Sequence, residues 1–297
     1  MRVFRVQVKF MSKIESLSLS LFDRVHRRLA PRQFKRSQQQ RVIDMALRTW
    51  GGASPPADHA LWREAMFKQT SGSHESVQVR FATHPDVPIL VRLGTADPNP
   101  FRQVFLEAQY ADLRTLLPDA LTILDVGANI GYTALWFAMH FPDAAICAVE
   151  PLADNIERIR LQLDGARLNH RVQVIAAAAD IRAGSADFYT YEDGFFHTSG
   201  SLIADAQHRA RAAAVECVTL PDLIARAGWA KADIIKIDIE GAETRLLTDG
   251  AALMRPLLET TRAFALELHS PEAETAARTL FDGWRAVRRG EITCFTR

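Results

Sequence analysis

ILDVGANIGYTAL, residues 123–135, decides how this chain reads. An apolar run ends in Asp125, passes a short turn carrying Gly127 and Gly131, and resumes as an apolar, helix-compatible segment. Strand, glycine turn and helix in that order predict a nucleotide pocket. The glycines let backbone approach a ligand where a Cβ would collide, and a helix starting near Gly131 offers unpaired N–H groups to an anion. Two glycines fall short of the three in a dinucleotide fingerprint, so the pair alone suits an ordinary strand-to-helix turn equally well. The next apolar run, AAICAVE at residues 144–150, ends in Glu150, at the separation where an acid meets a ribose. A carboxylate has two acceptor oxygens for two neighbouring hydroxyls, so Glu150 is expected to take both; the alternative is a solvent-facing strand end.

Outward from this stretch the alternation is regular. Strands are expected at 121–126, 144–150 and 171–179, with helices between, and each strand is apolar enough to be buried on both faces of a parallel sheet. Short β pieces, ADFYTY and VECVTL, flank a polar segment at 192–214, before DIIKID resumes the sheet and TRAFALELH adds a strand. A helix over 271–283 then leads to WRAVRR and ITCFTR, joined tightly at Gly290 and Glu291. That pair predicts an antiparallel hairpin at the sheet edge, which an ordinary dinucleotide-binding sheet usually lacks. The fold class expected is a doubly wound, seven-stranded, mostly parallel α/β sheet with a C-terminal antiparallel hairpin.

Upstream, a helix over 101–117 closed by Pro118 follows two β runs, SVQVRF and ILVRL, separated by the proline-containing stretch 84–88 and read as a hairpin leaning on the core. Helical periodicity marks 13–30, 38–50 and 59–68, with a linker at 51–56. The organisation expected is a basic helical extension (1–52), a helix-and-hairpin segment (53–118) and a main domain (119–297). Met11, where alternation gives way to helical spacing, is an alternative start to Met1.

Composition is that of an ordinary globular protein, 48% hydrophobic and 24% charged, and the net charge of +1 conceals an asymmetry. Residues 1–41 hold eleven Lys or Arg and two acids, a surplus of +9, which leaves −8 for the rest of the chain. A basic head suits a protein partner or an anionic membrane surface, while the acidic body argues against nucleic acid. No run reaches the roughly 18 apolar residues of a membrane span. Three scattered cysteines match no metal-ligand spacing and favour a reducing compartment, so the expected location is cytoplasmic, or peripheral at the inner membrane surface.

As an ordered set, DVGANIGY, VEP with Asn155 after it, DIIKIDIEGAE and LELH resemble the FkbM family of S-adenosylmethionine-dependent methyltransferases. VRLGTADPNPFRQVFLEAQY, with its Asp and Tyr before the first core strand, is similar to the family's upstream segment, and the likeness covers roughly residues 88–270. The resemblance implies O-methylation with S-adenosylmethionine as cofactor, sugars of glycans or secondary metabolites being the commonest acceptors. It places Asp125, Gly127, Asn129, Gly131 and Tyr132 around the cofactor's methionine part, and Asp180 beside its adenine.

Methyl transfer to oxygen also needs a base for the hydroxyl proton. Lys236 and Asp238 lie two apart and share a strand face, at the sheet end where ligands bind. Asp238 reads as facing substrate or cofactor, whereas Lys236 or Glu243 reads equally as half of an ion pair fixing the turn. His269 ends the following strand, where a neutral imidazole suits a general base near pH 7. The catalytic candidates are therefore His269, Asp238 and Lys236. Nothing in the spacing demands a metal, although Asp238, Glu240 and His269 together offer a divalent cation as an alternative way of acidifying the hydroxyl. Rival readings are an RNA 2′-O-methyltransferase, a non-catalytic cofactor- or membrane-binding module and, more remotely, an NAD oxidoreductase.

Overall fold

A computed structural model describes residues 3–6, 76–81, 83–92, 95–191, 199–204 and 208–297, and the chain divides into two compact units, 1–109 and 110–297. The helices expected at 13–30, 38–50 and 59–68, the linker at 51–56, and most of the basic head lie outside the described residues.

The first unit holds a three-stranded sheet. Strand β1 (Val3–Val6) pairs in parallel with β2 (Ser76–Phe81), which pairs antiparallel with β3 (His84–Arg92). The second hairpin strand begins at His84, so the prolines expected to separate the strands fall within β3. Asp97 closes the strand end, accepting from Arg92 Nε at 2.8 Å, Nη2 at 2.7 Å and the Arg92 N–H at 3.2 Å, a buried bidentate pair. Helix α1 (Pro98–Phe101) runs into a π turn over Arg102–Leu106. Phe81 stacks on Phe101 and Phe105 with centroids 6.3 and 5.5 Å away. The helix expected over 101–117 is thus interrupted, because Ala108 adopts φ 50° and breaks the hydrogen-bond ladder.

The second unit is built on the expected sheet. Helix α2 (Ala111–Leu116) precedes β4 (Thr122–Val126), α3 (Tyr132–His140), β5 (Ala145–Val149), α4 (Ala153–Ala166) and β6 (Val172–Ile175). The run expected to continue to residue 179 stops at Ile175, and Ala178–Ala179 (β7) joins a separate four-stranded sheet with β8 (Gly184–Tyr191), β9 (Gly200–Ser201) and β10 (His208–Val218), in the order β7-β10-β8-β9. Within the segment read as polar, residues 208–214 belong to strand β10, and the alanine-rich stretch 210–214 pairs with β8.

Helix α5 (Leu220–Arg226) starts on Thr219, whose hydroxyl accepts from the Asp222 N–H. It leads to β11 (Ile234–Ile237), α6 (Glu243–Leu247), α7 (Ala251–Thr260), β12 (Ala263–Glu267), α8 (Pro271–Leu280) and the hairpin β13 (Arg285–Arg289) and β14 (Ile292–Thr296). The main sheet runs β13-β14-β12-β11-β4-β5-β6, parallel throughout β12 to β6 and antiparallel at the hairpin. This is the doubly wound α/β sheet the sequence predicts.

Strand β4 sits where the order reverses, with β5 on one side and β11 on the other, and ligands in such sheets bind beyond the carboxyl ends at that point. Beneath it Leu124, Val126, Cys147, Val149, Ile235, Ile237, Phe264 and Leu266 are buried in one continuous cluster. The three cysteines are buried and free, Cys147 in β5, Cys217 in β10 and Cys294 in β14. Among the described residues no helix is long and apolar enough to cross a membrane.

Candidate active site

An open cleft lies beyond β4, β5 and β11, lined by Gly127, Asn129, Glu150, Ala177, Asp238 and Glu240 among others. The residues that shape it come from consecutive turns, and their packing shows what each does.

Gly127 adopts φ +77°, and a Cβ there would lie 1.8 Å from the carbonyl oxygen of Asp238. At Gly131, φ +89°, a Cβ would lie 3.1 Å from Ile159 Cγ1 on α4. Both glycines are thus required by neighbouring protein, and Gly127 also lines the cleft. The turn is pinned to β5, as the N–H groups of Gly127 and Ala128 both donate to Val149 O at 3.0 Å.

Lys236 lies at the centre of the sheet, 1% exposed. Its Nζ donates to Gly127 O at 2.7 Å and stands 3.2 Å from Asp125 and 3.7 Å from Asp238. In register, Lys236 is opposite Asp125 on β4. Asp125, fully buried, accepts no well-aligned hydrogen bond and does not line the cleft. Burial raises the Asp125 pKa against the pull of Lys236; for Lys236, burial is outweighed by the charges of Asp125 and Asp238, and its pKa rises. The pair fixes the glycine turn from behind, the structural alternative the sequence left open for Lys236.

Glu150 does face the cleft. Its carboxylate already accepts from Leu152 N–H (3.0 Å), Asn155 Nδ2 (3.1 Å) and Asn129 N–H (3.0 Å). Of about four acceptor sites one remains, so it has room for one ribose hydroxyl and not the two expected. Burial pushes its pKa up to about 7 despite those donors. Asn129, at φ 50°, has a buried side-chain oxygen with no hydrogen-bond partner, a second acceptor beside Glu150.

The alanines 177–179 form a small-residue wall of the cleft. Asp180 stands just past it, its Oδ1 accepting from Ile181 N–H at 2.7 Å and paired with Arg245 at 3.2 Å. Tyr132 is buried in the first turn of α3. Neither lines the cleft. Phe188, Ser199, Gly200 and Leu202 do, contributed by the four-stranded sheet, and Ser201 Oγ reaches Ile239 O at 3.5 Å. Of the polar segment 192–214, residues 199–204 and 208–214 are described.

After β11 and β12 carboxylates gather. Glu240, at φ 53°, starts the turn after β11, and Glu243 in α6 turns back, its Oε2 accepting from Gly241 N–H at 2.9 Å and its Oε1 from His269 N–H at 3.0 Å and Nδ1 at 2.9 Å. His269 Nε2 then faces Glu267 Oε1 at 3.5 Å and Glu240 Oε2 at 3.8 Å. Burial opposes the imidazolium, but the Glu243 hydrogen bond and the charges of Glu267, Glu243 and Glu240 overcome it and raise His269 to about 11. An imidazole so held is already protonated at pH 7, so the general base expected there passes to a carboxylate. Burial and Asp238 raise Glu240 to about 7 and hold Glu267 well above the usual range.

Glu267 went unassigned in the sequence reading. Glu267 sat two residues before His269, and only the pairing of β11 with β12 shows that it meets Asp238.

A family model described as the methyltransferase FkbM domain matches residues 125–288, more than half of the chain. The antimetabolite synthetase AmbE of Pseudomonas aeruginosa is 29% identical over 60% of this chain, which spans only 10% of that protein's length. Among solved structures, a methyltransferase FkbM from Methylobacillus flagellatus aligns at 13% identity and a TM-score of 0.42, covering 60% of this chain and 44% of its own. An O-methyltransferase from Bacillus cereus in complex with SAH aligns at 14% identity and a TM-score of 0.38, covering 64% of this chain and 81% of its own.

Proposed function

Because this chain belongs to the FkbM methyltransferase family, we propose that it moves a methyl group from S-adenosylmethionine to a hydroxyl of a sugar, glycan or secondary metabolite. The observation that carries this reading is one cleft lined by Asn129 and Glu150 together with Asp238 and Glu240.

The residues present fit the cofactor. The partnerless Asn129 oxygen and the remaining acceptor site on Glu150 can share two neighbouring hydroxyls, and the alanine wall admits a flat ring. When bound, S-adenosylmethionine supplies an electrophilic methyl on a positively charged sulfur. Lys236 and Asp125 hold the Gly127 turn in shape behind it. Asp238 and Glu240 place negative charge where the acceptor hydroxyl must give up its proton, and a carboxyl raised to about 7 suits that transfer. A relative that is an antimetabolite synthetase favours a secondary metabolite among the acceptor classes.

The test is calorimetric titration of the purified chain with S-adenosylmethionine, S-adenosylhomocysteine and NAD. Binding of the first two without the third supports the reading, and hydroxyl acceptors are then screened for methyl uptake. A folded sample that binds neither overturns it and returns the chain to the non-catalytic reading.

A further inference from the structure

We infer that Asp238, Glu267 and the Nε2 of His269 form a site for a divalent cation that opens onto the cleft and takes the acceptor hydroxyl as a further ligand. The catalytic half of this inference rests on the proposed methyl transfer; the existence of the site does not.

Three observations converge. One ligand atom from each of the three side chains lies within 4.8 Å of the other two, a spread that a six-coordinate ion with ligands at about 2.0–2.6 Å spans. His269 is prepared as a ligand by a group outside the cluster. Glu243, with its side chain 1% exposed and anchored by two backbone N–H groups, accepts the Nδ1 hydrogen and so turns Nε2 toward Glu267, where the ion takes the place of the proton that Nε2 carries in the cation-free imidazolium. A carboxylate behind a ring nitrogen is the arrangement that orients metal-binding histidines. The local charge is also unbalanced. Asp238, Glu240 and Glu267 bring three carboxylates against His269 and against Lys236, whose Nζ is shared among Asp125, Asp238 and Gly127 O.

Two carboxylate oxygens and one imidazole nitrogen suit a hard-to-borderline ion such as Mn²⁺, Mg²⁺ or Zn²⁺. Asp238 is both a ligand and a lining residue, so the ion faces the cleft. A hydroxyl coordinated there loses its proton more readily. In the step this supports, the acceptor O–H bond breaks with its proton going to the Glu240 carboxylate. The O–CH₃ bond forms as the CH₃–S bond breaks, and that bond's electron pair returns to sulfur. With Asp238 engaged as a ligand, Glu240 becomes the base.

The experiment uses the full chain, stripped with EDTA and titrated with Mn²⁺ in the absence of S-adenosylmethionine, following loss of the free-ion electron paramagnetic resonance signal; Mg²⁺ and Zn²⁺ serve as competitors. The expected result is one ion per chain, with binding lost in Glu267→Gln and in His269→Gln. Glu243→Gln, which removes only the group behind His269, should weaken it about 10- to 100-fold. Should Glu267→Gln not fold, a folded His269→Gln decides alone. No binding of any of the three ions by a folded wild type, or unchanged binding in folded His269→Gln, overturns the inference. Cofactor titration of the stripped protein is independent of this result, so loss of the cation site leaves methyl transfer standing, and loss of cofactor binding leaves the cation site standing.

Discussion

Lys236 Nζ donates to the carbonyl oxygen of Gly127 at 2.7 Å while pairing with Asp125 at 3.2 Å, so one buried cation ties the core of the sheet to the turn that edges the cleft. Removing one partner leaves the other charged and out of water. Lys236→Met is therefore expected to cost about 3–5 kcal/mol of stability. Asp125→Asn in the same background should then cost far less than it does alone. Urea unfolding of both single variants and the double variant measures the coupling, and simple additivity would show that the two charges do not support each other.

The two glycines should differ in their tolerance. Gly127→Ala drives a Cβ into the Asp238 carbonyl at a left-handed φ, a backbone clash, and should cost at least about 3 kcal/mol together with cofactor affinity. Gly131→Ala makes only a tight approach to Ile159, 3.1 Å to Cγ1 and 3.3 Å to Cα, and with its left-handed φ should cost about 1–2 kcal/mol. Thermal melts of both variants check the order.

Glu150 gives the site a pH dependence. Its folded pKa of about 7 lies above the usual 4.5, so between those values the folded chain without ligand binds more protons than the unfolded one. Stability supplied by the protonated form is present below about 4.5 and is lost as pH rises through 7. A ribose hydroxyl donating to the carboxylate favours the ionised form. Cofactor affinity should therefore increase from pH 6 to pH 8, and Glu150→Gln should flatten that rise in calorimetric titrations.

Asn129→Gly keeps a residue at ease with φ 50° and removes the side chain with its acceptor oxygen. If that oxygen takes a cofactor hydroxyl, affinity falls about three- to tenfold, the worth of a neutral hydrogen bond of roughly 0.5–1.5 kcal/mol. An unchanged dissociation constant would assign the oxygen no part in binding.

Periodicity carried the sheet. The apolar runs of β4, β5, β11 and β12 and the hairpin after Gly283 were legible because strands buried on both faces leave continuous apolar sequence. Where local signals gave out, the reading failed for identifiable reasons. Ala178–Ala179 looked like the end of β6 because alanine says nothing about which sheet a residue joins. The break at Ala108 was silent because a left-handed alanine has no sequence signature. In the site, Asp238, Glu150 and Lys236 stood out as charges at the ends of apolar strands. The protonation of His269 did not, since it depends on Glu240, Glu243 and Glu267, brought together from two strand ends and a helix.

The free thiols of Cys147, Cys217 and Cys294 supply three internal clocks. Burial pushes Cys147 and Cys294 up to about 12 and raises Cys217, so none is a ready thiolate while its surroundings stay closed. The three report from separate places: the strand beneath the cleft, the four-stranded sheet and the C-terminal hairpin. Timed alkylation followed by peptide mass measurement would rank how often each place opens. Slowing of Cys147 alone on adding cofactor would show ligand tightening the sheet without reaching its edge.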